Sequence, residues 1–155
     1  MFEVLAYVYE AHDAGAAWPQ AAELEQKLRG VGFESDEIGD AMDWLRGLDH
    51  ASDTSSLQPW LIQPHAASMR IYPRHEQLRL GSHGMGFIRF LESAGVLPPM
   101  LREVVIDRAM ASSHAQVSLD ALKIIILLVC WRFGQEPDAL ILDELCDNAQ
   151  DRIAH

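Results

Sequence analysis

The chain has 155 residues, 49% of them apolar, and a formal net charge of −11. That length and apolar share suit one ordinary domain, or two small helical subdomains around a common core, and exclude a globally disordered chain. A balance this acidic repels phosphate backbones, which weighs against general nucleic-acid binding.

The N-terminal tract M-F-E-V-L-A-Y-V-Y-E has no cation before Lys27, so the basic region of a secretory signal is missing. Met1 to about Asp13 is expected to form a first helix with Met1, Leu5, Val8 and Ala11 on one face; Gly15, Trp18 and Pro19 break it. From Glu23 to Asp49 the spacing predicts two amphipathic helices joined by a glycine turn. Leu24, Leu28 and Val31 form the first stripe. Gly32 can take the positive φ that ends a helix, and Phe33 follows as the apolar contact of the cap. Ser35 is the expected N-cap of the next helix, with Asp36 and Glu37 in its first turn, where the helix dipole favours carboxylates. Ile38, Ala41, Met42, Leu45 and Leu48 form its buried stripe.

Residues 50–67 lose periodicity and read as a polar loop, with Pro59 and Pro64 bounding Trp60-Leu61-Ile62. Met69 to Tyr72 alternates weakly and reads as a short strand with Trp60–Ile62 as its hairpin partner. Three helices followed by a ribbon is the order of a winged-helix module. Pro73 opens a short helix to about Leu80, and Gly81-Ser82-His83-Gly84 breaks the chain. A helix from about Met85 to Ala94 presents Phe87, Phe90, Leu91 and Ala94 to the core. Gly95 caps it, and Pro98-Pro99 start another helix that buries Leu101, Val104, Val105 and Ala109 and exposes Arg102, Glu103 and Asp107. Ser118 caps a helix from Leu119 to about Phe133, whose run Ile124–Trp131 is apolar all round and must be enclosed by other helices. At eight residues that run is far short of the roughly 20 that span a membrane. Asp138 caps a last helix with Leu140, Ile141, Leu142 and Leu145. The expected fold is mainly α: a three-helix, winged-helix-like module over 1–72, a helical bundle over 73–155 around 119–133, and at most a short β-ribbon near 60–72.

Six tracts occur in order: the start M-F-E-V-L-A-Y-V-Y-E, L-R-G-V-G-F-x₄-I-G-D-A-M-D-W-L from Leu28, S-M-R-I-Y from Ser68, G-F-I-R-F-L-E from Gly86, R-E-V-V-I-D-R from Arg102 and L-D-A-L-K-I-I-I-L-L-V from Leu119. Together they resemble the Smg family of bacterial cytoplasmic proteins of uncharacterised function, over nearly the whole chain. Pro73 stands where that family commonly has Thr, and Ile124 where it often has Trp. The resemblance implies a bacterial, cytosolic, full-length single-chain protein with no established activity. Genes of that family often lie near one for a DNA-processing protein that handles incoming single strands, which keeps nucleic acid in view as a partner.

The chemistry-bearing residues offer no catalytic or metal pattern. Two cysteines, Cys130 and Cys146, make no disulfide framework and fit a reducing cytoplasm. Cys130 lies in an apolar helix, where a thiol is inert; Cys146 is flanked by Asp143, Glu144 and Asp147, which discourage the thiolate. No serine has the G-x-S-x-G context. The seven histidines form neither H-x₃-H nor H-E-x-x-H. Gly81-Ser-His-Gly84-Met-Gly86 lacks the βαβ setting and the Lys-Ser/Thr of a phosphate loop. The carboxylates lie on outward helix faces rather than paired across a cleft. No enzyme activity, cofactor, metal or membrane segment is expected.

Charge is spread unevenly. Residues 1–60 hold 12 acids against 3 bases, residues 61–115 hold 4 against 6 arginines, and residues 116–155 hold 7 against 3. The leading functional expectation is a non-enzymatic cytosolic adaptor or regulator that binds a basic protein surface through Asp36, Glu37, Asp40, Asp43 and Trp44. Trp44 lies beside its helix's buried stripe, where it either anchors a partner or covers the core edge. The alternative is a nucleic-acid-associated factor using region 70–108, with Arg70, Arg74, Arg79 and Arg89 as contacts. The helix that would enter a groove in a winged-helix protein carries Asp36, Glu37, Asp40, Asp43 and Asp49 against Arg46, which opposes DNA.

Overall fold

The computed structural model describes residues 1–12, 16–53, 70–135, 137–138 and 141. Among these lie six helices: α1 (Phe2–Glu10), α2 (Ala21–Val31), α3 (Ser35–Ser52), α4 (Arg74–Ser93), α5 (Pro99–Met110) and α6 (Leu119–Arg132). No strand occurs among the described residues.

Helix α6 is the centre. Ile125 to Cys130 are all buried, and α1, α3, α4 and α5 all pack against it. Ser118 starts it as expected, its side chain accepting a hydrogen bond from Ala121 N at 3.1 Å. Val4, Leu5 and Val8 of α1 are fully buried, whereas Ala11 lies past the helix end and is exposed. Helix α3 packs on α1 and α2 and also on α5 and α6. One apolar cluster therefore runs through both halves of the chain.

The α2–α3 turn forms through Gly32 at φ 104°, the left-handed region that glycine reaches without a Cβ clash. Phe33 then meets Tyr7 of α1 edge-on at 5.6 Å between ring centres. Two details differ from expectation. Ser35 is already helical, and the capping position falls to Glu34 with no side-chain cap bond. Val31, in the last turn of α2 and beyond the cover of its neighbours, is 51% exposed.

Helix α3 continues over His50–Ser52, so the expected loop begins later; most of it, with Trp60–Ile62, Pro59, Pro64 and Met69, lies outside the described residues. Arg70–Tyr72 does not form the expected strand. Ion pairs of Arg70 anchor that segment, and Pro73, which has no N–H to donate, leads directly into α4.

Two helices were expected over 73–94, with a break at 81–84; α4 is interrupted there, its two helical segments meeting at a kink where Gly81 is non-helical (φ 68°, ψ 173°). Beyond the bend, Gly84 faces α6, where a Cβ would lie 3.3 Å from a Leu122 methyl. The core stripe runs through Leu80, Gly84, Ile88 and Leu91, which rotates Phe90 outward to 51% exposure and leaves Phe87 half-buried. Helix α5 buries Leu101, Val104, Val105 and Ala109 as read from spacing, but Arg102 is buried as well. Of the last expected helix, Ile141 is described and packs partly buried against the core; Leu140, Leu142, Leu145 and Cys146 lie outside the described residues.

Ile125 is fully buried and Ile124 is not. Ile125→Ala should cost about 2–5 kcal/mol in urea unfolding, with Ile124→Ala clearly milder. Equal losses at both positions would show that α6 is not enclosed in this orientation.

Candidate functional site

Two surfaces were expected to carry function, and the structure treats them differently. On α3, Asp36, Asp40 and Asp43 are exposed and Glu37 is half-buried. Asp43 pairs with Arg46 at 2.6 Å, both side chains being 73% exposed; such a pair contributes little. Among the described residues, Asp36 and Asp40 have no ion-pair partner. They stand four residues apart on one helix face, and like charges at that spacing destabilise a helix. The dipole offsets this in the first turn but not at Asp40 and Asp43.

Trp44 does not belong to that surface. It is 3% exposed, and its Nε1–H donates to the Arg108 carbonyl of α5 at 2.9 Å. Arg108 answers by donating Nη1–H to the Trp44 carbonyl at 3.4 Å and lies across Gly47, where a Cβ would collide with the guanidinium. Trp44 flanks the stripe of α3, and α5 packs on that flank. Of the two roles expected for Trp44, partner anchor or cover for the core edge, its burial fits the second, and it links two helices.

The arginines also change role. The Arg70 guanidinium donates to both carboxylate oxygens of Glu76, at 2.6 and 3.2 Å, and to both of Glu103, at 2.7 and 2.9 Å. Arg102 continues the chain, donating to Glu103 at 2.9 Å and to Glu92 at 2.5 Å. The result is an alternating row, Glu76–Arg70–Glu103–Arg102–Glu92, whose side chains are 10–25% exposed. It ties the segment before α4 to α4 and α5. Burial alone would raise the Glu103 carboxyl, but the hydrogen bonds and charges of Arg70 and then Arg102 outweigh it and hold the group below the ordinary carboxylate range. Arg70 is disfavoured by burial, yet Glu76 and Glu103 more than compensate and fix its charge. Its guanidinium lies 4.6 Å over the Tyr72 ring. The Tyr72 hydroxyl is buried without a hydrogen-bond partner among the described residues. Burial, then the charge of Glu92, raises its pKa against the pull of Arg70 and Arg102.

Arg79 is engaged too. Its Nη1–H groups donate to the Ser112 carbonyl at 3.1 Å and to the His114 carbonyl, and the Arg79 carbonyl accepts from Val117 N at 2.8 Å. It latches the 112–117 connection onto α4. Of the four arginines proposed for nucleic acid, Arg74 and Arg89 alone keep an exposed guanidinium without a partner among the described residues.

Burial pushes the Cys130 thiol up to about 11, which leaves it protonated and unreactive at neutral pH. Among the described residues no three His, Cys, Asp or Glu side chains are placed to share a metal ion, and no helix is long and apolar enough to cross a membrane. The Gly81–Gly86 run lies within α4. Spacing did not single out Trp131, yet it gathers Tyr9, His12 and Trp18 around one indole and donates to the Ala16 carbonyl at 2.9 Å. Its place at the end of the most apolar run was the available signal.

The ion row predicts a definite acid limb. Glu103 is harder to protonate folded than unfolded, so below its ordinary value of 4.5 the unfolded chain takes up the proton first and gains. The stabilisation is complete above that pH and is lost as pH falls through the lower folded value. Glu103→Gln should lose about 1–3 kcal/mol at neutral pH and show a shallower fall in stability on acidification, read by urea unfolding across pH. For the α3–α5 link, Trp44→Ala should cost about 3–5 kcal/mol. Trp44→Phe, which mainly removes the indole donor, should cost about 1 kcal/mol; the same unfolding assay separates the two.

Residues 1–155 match the family model described as "Protein of unknown function (DUF494)". The chain is 49% identical to the Protein Smg homolog of Leptothrix cholodnii, 47% to that of Methylibium petroleiphilum and 46% to that of Bordetella avium, each over 155 residues and the full length of both chains. No solved structure matches it. With a family model matched from end to end and relatives near half identity over their whole length, the chain belongs to the Smg family of uncharacterised bacterial proteins, the family of domain DUF494.

Proposed function

We propose that the chain is a non-enzymatic, cytosolic adaptor or regulator that binds another protein through the acidic face of α3. The observation that supports this most is the carboxylate row Asp36, Asp40 and Asp43 with Glu37 beside it, in which Asp43 alone has an ion-pair partner among the described residues, the exposed Arg46. It repeats like charge along one exposed helix face, at a cost in helix stability that the exposed Asp43–Arg46 pair offsets only weakly. Such a face attracts a basic partner by long-range steering. With Trp44 turned inward, recognition there rests on charge rather than on a buried aromatic anchor. Binding on this surface is therefore fast, salt-sensitive and modest in affinity.

The nucleic-acid reading draws no comparable support, because Arg70 and Arg79 are held by internal partners. Arg74 and Arg89 remain, and two cations displace few counterions.

The test is cross-linked capture from a bacterial lysate at low salt, with the wild-type chain and with Asp36→Asn, Asp40→Asn, Asp43→Asn combined. These positions are exposed, so the triple variant should fold and show an unchanged circular dichroism spectrum. Proteins with basic surfaces should be retained by the wild type, released by added salt and lost on the variant. Retention of the same proteins by both chains would remove α3 as the binding surface.

A further inference from the structure

Helix α4 presents a surface of the opposite kind to the acidic α3. Its solvent-facing positions include Arg74, His75 and Leu78 before the Gly81 bend and His83, Arg89 and Phe90 after it. None of its solvent-facing positions is a carboxylate. Both acids of α4 are turned to internal partners, Glu76 onto Arg70 and Glu92 onto Arg102. In a chain of net charge −11, this helix face is cationic.

The exposed positions on either side of the Gly81 kink are also apolar. Leu78 is 66% exposed and Phe90 51%. The Phe90 ring is held in place by Phe87, stacked with centres 6.2 Å apart and planes 25° apart. A ring already fixed loses little entropy when a partner covers it. Gly86 lies one turn before Phe90, and a Cβ there would meet nothing within 4 Å, so the flank of the helix beside the ring is open to an incoming side chain.

Charge and apolarity together select the occupant. Nucleic acid would find two free guanidiniums on an acidic chain, too few for appreciable counterion release. A second copy pairing α4 with α4 would set two cationic helix surfaces against each other. A second copy offering its acidic α3 would present Asp36, Asp40 and Asp43 without a large exposed apolar residue to cover Leu78 and Phe90. We infer that the solvent face of α4 is a docking surface for an acidic protein segment that also carries large apolar side chains, its carboxylates meeting Arg74 and Arg89 and its apolar residues meeting Leu78 and Phe90. This adds a second interaction face, of opposite charge, to the one on α3, and does not depend on it.

Selection of a random dodecapeptide library on the immobilised full-length chain tests the assignment. Three chains are compared: the wild type, the α3 variant with Asp36, Asp40 and Asp43 changed to Asn, and an α4 variant carrying Arg74→Glu, Arg89→Glu and Phe90→Ser. All substituted positions are exposed, and circular dichroism checks that each chain folds. Peptides rich in Asp or Glu with Leu or Phe should be enriched on the wild type and the α3 variant and lost on the α4 variant. A synthetic peptide of the enriched sequence should bind at least about tenfold more weakly to the α4 variant by fluorescence anisotropy. The inference is overturned if no acidic, apolar peptide is enriched, if such peptides are kept by the α4 variant or lost on the α3 variant, or if an oligo-dT strand binds the wild type more tightly than the selected peptide. Basic peptides held by the wild type and lost on the α3 variant bear on the α3 surface alone, so the two surfaces can fail independently.

Discussion

Between Ile125 and Cys130, α6 has no polar side chain, so no face of it can be left in water without exposing a Leu, Ile or Val. Burying each such side chain is worth roughly 1.5–3 kcal/mol, and a helix apolar all round must be enclosed on all sides. Helices α1, α3, α4 and α5 supply that enclosure. The surrounding architecture follows from it: α1 and α3 are held by a partner from the far end of the chain, and the two halves share one core.

Around this core the electrostatics are divided between inside and outside. Where α4 and α5 meet the segment before them, charges alternate in sign and satisfy one another with little access to water. The guanidinium is charged at any ordinary pH, and the carboxylates on either side of it offset the cost of burying that charge. The carboxylates left over are concentrated on α3, and the cations left over on α4. The overall acidity of the chain therefore conceals two faces of opposite sign, and net charge alone describes neither.

Features that depend on neighbours in sequence were legible. Gly32 and Phe33 marked the α2–α3 turn, Ser118 the start of α6, Pro98-Pro99 the start of α5, and the stripe of α3 was read residue by residue. Features that depend on a second packing partner were not. Spacing places one apolar stripe on a helix, but α3 also packs on α5, so Trp44 on the flank is buried. Arg102 occupies a position that faces solvent in an isolated α5, and is drawn inward by Glu92 of another helix. Phe90 errs the other way: it fits a helical stripe with Phe87 and Leu91, yet the bend at Gly81 and the contact at Gly84 set the rotation of α4 so that Ile88 and Leu91 take the core. Arginine counts identified a basic region correctly, but which arginines remain free is decided by carboxylates distant in sequence.

The pairing of α1 with α6 also bears on how the chain is made. Ribosomes release the N-terminal helix first, and its main apolar partner follows roughly a hundred residues later. At about 5–20 residues per second, that interval is on the order of 5–20 s. Throughout it Val4, Leu5 and Val8 lack the surface that finally covers them, and α3 can shield them from one side alone. Until α6 clears the exit tunnel that apolar surface lacks its final cover, and the negative charge of the N-terminal half opposes its association with like chains.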